Sequence, residues 1–368
     1  MRTVLKPGEY PYITVTGSSP FERGFTYGSH YKTMINGRLD LLYWYFDKAF
    51  GLSREKTDAK ASVFLAPLED YSPDVYAEFK GTAEGAGLTL AQGMITAAYG
   101  EISHEQTLKS REQTPKSCTS FAAREGATED GLTYVGQNND ERLSWTLNGE
   151  GETVTKFVQG NAPDALIYTY AGAEVLMGMN STGMSVCING IGYDSVLKGV
   201  HVLGVVREVL NQGTMDEAIE SIERAKMSCA INFMIGTPKE IADIEANPSK
   251  IQVMRSDEDL VHSNHYLRPT KGVTIKKQSP GYKNSFARCS AMEGLVESKK
   301  GSLTLQDFQT FLCDHQNAPD SICAHVDKSK PAWHQGLTVD GMVFISEKKE
   351  GWIAKGNPCQ TEFFRYKL

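Results

Sequence analysis

Lys116-Ser117-Cys118-Thr119-Ser120-Phe121 and, beyond a turn, Tyr134-Val135-Gly136-Gln137-Asn138-Asn139-Asp140 are the two runs on which the fold turns. They set a cysteine at the head of a predicted β-hairpin and an amide and carboxylate cluster on the returning strand. Thr119–Arg124 and Leu132–Gln137 are the expected strands, and Glu129-Asp130-Gly131 supplies the turn between them. At its ordinary pKa only a few per cent of a thiol is thiolate at pH 7, so a catalytic Cys118 needs a base or a cation nearby. Opening the Ser117-Cys118 bond would free an α-amine with a pKa of about 7.7–8.0 beside its own sulfur, so that one residue supplies nucleophile and base. Two plainer readings stay open beside this one: a buried strand cysteine, and an Asn/Asp cluster that merely ends a strand.

Upstream of Cys118 the chain reads as helical. Ser19-Pro20-Phe21-Glu22 is a capping box with proline at the first helical position, opening one apolar-rich segment to about Phe50. Further helices fit Glu55–Leu65, Pro73–Gly85 behind Ser72, and Leu90–Ser103 behind Thr89. Residues 105–116 are polar and read as a loop open to cutting. Downstream, short β runs at Thr153–Val158, Ala165–Tyr170, Glu174–Met179 and Met184–Asn189 precede helices at His201–Asn211 and Met215–Lys226. Strands return at Ala230–Ile235, Ile241–Ala246 and Ile251–Arg255, a helix fits Leu305–Asp314, and strands close the chain at Met342–Ser346, Gly351–Ala354 and Glu362–Tyr366. Grouped strands and grouped helices predict an α+β architecture with antiparallel sheets in one compact domain, not a doubly wound one.

Composition narrows the function classes. A chain of 368 residues can bury a large core, and its net charge of -7 leaves no basic footprint for nucleic acid. Lys276-Lys277 and Lys299-Lys300 are short, scattered pairs that fit solvated loops. The start lacks the apolar run of a secretory signal, and no apolar run of about 18 residues marks a membrane span, so no membrane partner and a cytoplasmic location are expected. Seven cysteines, spread singly without a Cys-x-x-Cys pair, argue against a disulfide framework and a zinc ribbon; no cofactor or metal is expected.

Two more polar clusters stand out. In His262-Ser263-Asn264-His265 an asparagine amide has the chemistry of an oxyanion donor, a role worth about 2.7–4 kcal/mol where one such donor has been removed. Histidines at i and i+3 also suggest a metal-dependent amidase, but no third acidic or thiolate ligand accompanies them. Asn189-Gly190-Ile191-Gly192 ends a strand and offers a second amide or a close backbone approach; as a nucleotide motif it lacks the third glycine and the helix. The absence of Gly-x-Ser-x-Gly removes the usual serine nucleophile elbow. A papain-like pair would want Cys118 on a helix N-terminus, where this sequence favours a strand.

In order along the chain, Ser19-Pro20-Phe21-Glu22-Arg23-Gly24 with Tyr27-Gly28, Cys118-Thr119-Ser120, Gly136-Gln137-Asn138-Asn139-Asp140, Met179-Asn180-Ser181-Thr182-Gly183 and His262-Ser263-Asn264-His265 resemble the acyl-coenzyme A:isopenicillin N acyltransferase family. That group includes β-alanyl-amine hydrolases and is more distantly similar to choloylglycine hydrolases. The resemblance implies an N-terminal-nucleophile hydrolase fold, a four-layer αββα sandwich. It also implies a precursor that cuts itself before Cys118, giving a helical α subunit of residues 1–117 that stays associated with a catalytic β subunit of residues 118–368. By matching motif, Cys118 would be the nucleophile and its amine the base, Asp140 would orient that amine, and Asn264 would contribute to the oxyanion hole. Asn189 matches an active-site asparagine of the choloylglycine branch. Arg288, in Ser285-Phe286-Ala287-Arg288, matches an arginine that this branch places near the thiol, where its charge would lower the thiol pKa.

The sequence departs from the family pattern in three places. Ser117 replaces a glycine before the cut, Asn139 replaces an aromatic residue, and Trp333-His334-Gln335-Gly336-Leu337-Thr338 lacks an arginine of the penicillin enzyme. These departures count against β-lactam substrates more than against the chemistry. The expectation is therefore a self-activated cysteine amidohydrolase acting on a small linear N-acyl amide. An acyl-CoA-dependent N-acyltransferase using the same site is the second reading, and an unprocessed, non-catalytic scaffold is a third of another class.

Overall fold

A computed structural model describes residues 8–110, 118–146, 150–268 and 280–368. The chain opens with strand β1 (Tyr12–Val15) and continues through helices α1 (Pro20–His30), α2 (Lys32–Phe50), α3 (Arg54–Ser62), α4 (Leu65–Tyr71), α5 (Pro73–Ala86), α6 (Leu90–Ala97) and α7 (Tyr99–Ser110). Strands β2 (Thr119–Ala123), β3 (Tyr134–Arg142), β4 (Glu152–Phe157), β5 (Ala165–Tyr170), β6 (Met177–Asn180) and β7 (Ser185–Gly190) follow. After α8 (Val202–Val209) and α9 (Met215–Arg224) come β8 (Ile231–Gly236), β9 (Ile241–Asn247), β10 (Lys250–Ser256) and β11 (Asp259–His262). The chain ends with α10 (Pro280–Ser298), α11 (Leu305–Phe311), β12 (Gly336–Ile345), β13 (Glu350–Lys355) and β14 (Phe363–Lys367).

Eight strands form one sheet in the order β1-β4-β5-β6-β7-β8-β9-β10, and six form another in the order β11-β2-β3-β12-β13-β14. The sheets are antiparallel as expected, with β1 and β4 the one parallel pairing between named strands. The sheets face each other, with β2 and β3 lying over β7 and β8. Nearly all residues of β2, β3, β7 and β8 are buried, as strands enclosed on both faces must be. A second core of Phe121, Tyr134, Met292, Phe308 and Val343 joins the six-stranded sheet to α10 and α11. The large core joins the other sheet to the helices before Cys118 and to α8 and α9. The layers are therefore helix, sheet, sheet, helix, the αββα order that the sequence implied.

The segment before Cys118 is built into this core. β1 is a strand of the larger sheet, and Tyr27 and Ile35 bury against it. Arg38, fully buried, donates from Nε to Trp145 O (2.9 Å) and from Nη1 to Ala171 O (3.2 Å) and Thr96 O (2.8 Å). Close crossing of α1 and α5 explains the glycines in the first motif: a Cβ on Gly24 would run into Glu78 O, and one on Gly28 into Thr82 O. Gly81 and Gly85 answer from α5, approaching Phe21 O and Phe25 O. Overpacking at such a contact costs about 1–3 kcal/mol or more.

The expected single helix to Phe50 is broken at Tyr31 (φ -97°, ψ 16°), because α1 docks on α5 while α2 runs against α6. Ala98 (φ -97°, ψ 23°) divides the helix expected over Leu90–Ser103 in the same way. Residues 105–110, read as loop, belong to α7, and 111–117 lie outside the described residues. The strand expected at Glu174–Met179 is confined to Met177–Asn180. In the Met179–Gly183 motif, Asn180 Oδ1 accepts the N–H groups of Thr182 (3.0 Å) and Met184 (3.2 Å), and Gly183 takes φ +92°: that motif builds a turn.

Glu152 on β4 carries a testable pH dependence. It is buried, neither carboxyl oxygen bonds to another described residue, and burial raises its pKa to about 8, against the weaker pull of Lys355 and Arg38. The folded state thus holds a proton that the unfolded chain, with a Glu pKa of about 4.3, releases first. Stability from this group is full below about pH 4 and is lost as pH rises towards 8, at about 1.4 kcal/mol per pKa unit. Glu152→Gln is expected to raise Tm at pH 8 more than at pH 5. Parallel Tm-against-pH curves for the two proteins would overturn this.

Candidate active site

Cys118 opens β2 at the sheet edge nearest β11, and both partners of its hairpin are strand residues. Thr119 pairs with Asn138, which places Asn139 and Asp140 inside β3 and not in a turn. The amide cluster is buried throughout: Asn138, Asn139 and Asp140 are at most 7% exposed. Asn138 Nδ2 donates to Leu312 O (2.8 Å) and Ile322 O (2.9 Å), anchoring the segment after α11. Asn139 stands where the family motif has an aromatic residue, and its Nδ2 donates to Tyr170 Oη (2.8 Å) and Asp340 Oδ2 (3.3 Å). Tyr10 and Tyr168 also donate to Asp340, so the departure belongs to a buried polar network that reaches the N-terminal segment.

Around Cys118 the expected residues converge, with one change of role. Arg288, on α10, donates from Nη1 to Cys118 O and Thr119 Oγ1 (each 2.7 Å), from Nη2 to Asn264 Oδ1 (2.8 Å) and from Nε to Asn284 Oδ1 (2.8 Å). It therefore grips the backbone of Cys118 and orients the Asn264 amide. Ser263 Oγ adds a bond to Cys118 O (3.1 Å). Cys118 Sγ lies 3.9 Å from Asp140 O, the acceptor within reach of its S–H. Burial, then the Asp140 and Glu141 charges, push the thiol up to about 12, while the Asp140 backbone contact and Arg288 only partly oppose them. The pull of Arg288 on the thiol has the expected sign, downward, but desolvation outweighs it and the net shift is upward.

Asp140 Oδ1 accepts from Thr338 Oγ1 (2.6 Å), and Oδ2 is buried with no hydrogen-bond partner among the described residues. Burial raises this carboxyl to about 8, against the pull of Arg288 and the Thr338 bond. Asn264 donates from Nδ2 to Gly190 O (2.9 Å) and from its backbone to Ser285 Oγ (2.7 Å), leaving one amide hydrogen uncommitted. Asn189, on the facing sheet, accepts from Ser120 Oγ (2.5 Å) through Oδ1, and its buried Nδ2 has no acceptor among the described residues. These unpartnered groups of Asp140, Asn264 and Asn189 are so among the described residues, which do not include Ser117.

The two histidines do not act together. His262 faces Glu245 Oε1 (3.3 Å) and Ser263 O (2.6 Å); burial opposes its charge, but Asp243 and Glu245 outweigh that and raise its pKa. His265 meets Ser285 Oγ (2.7 Å), and burial lowers it to about 4. Each ring has its own partner, which removes the geometric basis for a metal-dependent amidase at this pair. Ser263, Asn284, Ser285 and Thr338 were missed as site residues. Ser263, Ser285 and Thr338 lay in segments already singled out and only Asn284 did not, and β-pairing with Asp140 is what brings Thr338 to the site.

A family model described as acyl-coenzyme A:6-aminopenicillanic acid acyl-transferase matches residues 127–360, a stretch that holds Asp140, Asn189, Asn264 and Arg288. Among solved structures the chain is similar to a conjugated bile acid hydrolase from Clostridium perfringens (14% identity, 68% of this chain and 97% of that one, TM-score 0.47). It is also similar to a Caenorhabditis elegans N-acylethanolamine-hydrolyzing acid amidase ortholog (18%, 68% and 100%, TM-score 0.46). A third likeness is to penicillin V acylase from Agrobacterium tumefaciens (12%, 68% and 86%, TM-score 0.44). No curated protein matches the chain. Among the described residues no helix is long and apolar enough to cross a membrane.

Proposed function

This chain belongs to the acyl-coenzyme A:6-aminopenicillanic acid acyl-transferase family, and on that footing we propose that it is a self-activated cysteine enzyme that opens a small linear N-acyl amide through an acyl-enzyme on Cys118. As a member it is an amide hydrolase or an acyltransferase; hydrolysis is our reading. The observation that carries it is the grip of Arg288 and Ser263 on Cys118 O, beside a buried Asp140 oxygen that has no hydrogen-bond partner among the described residues.

Activation begins when Cys118 Sγ attacks the carbonyl carbon of Ser117, breaking the peptide C–N bond and forming a thioester. Water then hydrolyses the thioester, leaving a carboxylate on Ser117 and a free α-amine and thiol on Cys118. An ammonium there would find its acceptor in Asp140 Oδ2, and ionisation of both groups would relieve the cost of burying either alone. The shared core, β1 and the Arg38 bonds support continued association of segments 1–117 and 118–368.

In turnover the α-amine takes the thiol proton as sulfur attacks the substrate carbonyl. Asn189 Nδ2 and the uncommitted hydrogen of Asn264 Nδ2 are the candidate oxyanion donors; Arg288 and Gly190 fix the Asn264 plane. The α-ammonium then protonates the leaving amine, and water, deprotonated by the same amine, releases the acid. Intact mass and N-terminal sequencing of purified protein should give two chains, the second starting at Cys118. A panel of N-acyl amines and N-acyl amino acids should release free amine. One uncut chain with no turnover on the panel would sink the proposal.

A further inference from the structure

Away from Cys118, the fold assembles a group of side chains that the single-spaced cysteines concealed. His315 follows α11, Cys323 and His325 precede β12, and Cys359 lies in the turn between β13 and β14. One ligand atom from each lies within 4.8 Å of all the others. Nε2 of His315 and His325 are 2.9 Å apart, Cys323 Sγ and Cys359 Sγ 3.6 Å, and His325 Nε2 is 3.9 Å from Cys323 Sγ and 3.5 Å from Cys359 Sγ.

A tetrahedron with Zn–S of about 2.3 Å and Zn–N of about 2.0–2.1 Å has edges of about 3.3–3.8 Å, and these separations fall close to that range. A disulfide does not explain the sulfur pair, since its sulfurs would sit about 2.05 Å apart. A sulfur pair and a nitrogen pair converging on one point select zinc over the hard, oxygen-preferring cations. The surroundings fit too, since Asn357 Nδ2 donates to Cys323 Sγ (3.5 Å) and to Ala324 O (2.7 Å), as a group holding a thiolate in place would.

We propose that His315, Cys323, His325 and Cys359 bind one Zn2+ with all four positions filled by protein, as a structural site. Its place in the fold gives it a task. Ala324, between two ligands, donates its N–H to Thr338 Oγ1 (2.8 Å), the hydroxyl that donates to Asp140. Asp320, in the same loop, accepts from Asn284 (2.7 Å), which holds Arg288 Nε. The ion would pin the segment that steadies Asp140 from one side and Arg288 from the other, so chelation would slow the enzyme without any metal at the reacting atoms.

The test is metal analysis of the full chain purified under reducing conditions, together with its uncut Cys118→Ala form, so that the outcome does not depend on amide turnover. About one zinc per chain is expected in both, and Co2+ loaded in its place should show the visible absorption of tetrahedral thiolate cobalt. Cys359→Ser and His315→Gln, at exposed positions, should lose the bound ion, and Asn357→Leu should weaken zinc affinity about 10–100-fold. Chelation of wild-type protein should lower Tm. Protein that neither carries zinc nor takes up equimolar Zn2+ or Co2+, or that has a Cys323–Cys359 disulfide by mass spectrometry after reducing purification, overturns the site.

Discussion

Cys118→Ala is expected to leave a single 368-residue chain and to lower amide turnover by more than about 10⁴-fold. Both losses have one cause, because the same sulfur attacks Ser117 C in activation and the substrate carbonyl in turnover. Burial pushes the thiol up to about 12, so in the uncut chain it is not a resting thiolate and its attack needs a base to take the proton. Removing one sulfur atom disturbs little else: the bonds that hold Cys118 from Arg288 and Ser263 end on its carbonyl oxygen. Tm should therefore stay close to that of the uncut wild type, which separates lost chemistry from lost fold. A Cys118→Ala chain still cut at Ser117 would assign the cut to another protease. An uncut chain that still released amine would assign the chemistry to another nucleophile.

The helical first third, the hairpin at Cys118 and most of the antiparallel strands were legible in the sequence because caps, periods and turn residues agree there. What escaped did so where the site breaks those rules. The sequence reading stops β3 at Gln137, since Asn and Asp disfavour strands, but buried partners for each amide carry it on to Arg142. Helix α10 went unread although its buried positions 285, 288, 289, 291, 292 and 296 keep a helical spacing, because two of them are Ser285 and Arg288 and interrupt the apolar stripe. Arg288 was found by its likeness to a motif, and its partner could not be: the contact with Cys118 O spans 170 residues. The zinc ligands were invisible for the same reason, coming from three separate loop segments.

Arg288 carries the second large effect. Arg288→Met is expected to destabilise the protein by about 3–5 kcal/mol, because it leaves four buried hydrogen-bond acceptors, Cys118 O, Thr119 Oγ1, Asn264 Oδ1 and Asn284 Oδ1, without their donor. Arg288→Lys keeps the charge but has no planar fork to reach Cys118 O, Thr119, Asn264 and Asn284 together. It should retain most of the fold yet slow self-cleavage and turnover by on the order of 10²-fold, the scale of a misplaced reacting group. The pH profile distinguishes positioning from general weakening. Arg288 lowers the pKa of both Cys118 and Asp140 against burial, so its loss in Arg288→Met raises both, and the acidic limb of kcat/KM should move to higher pH. In Arg288→Lys, where a cation remains, that limb should stay near its wild-type place while kcat falls. A Met variant with reduced Tm and an unmoved acidic limb would reduce Arg288 to a structural bolt and return the tuning of the nucleophile to the α-amine alone.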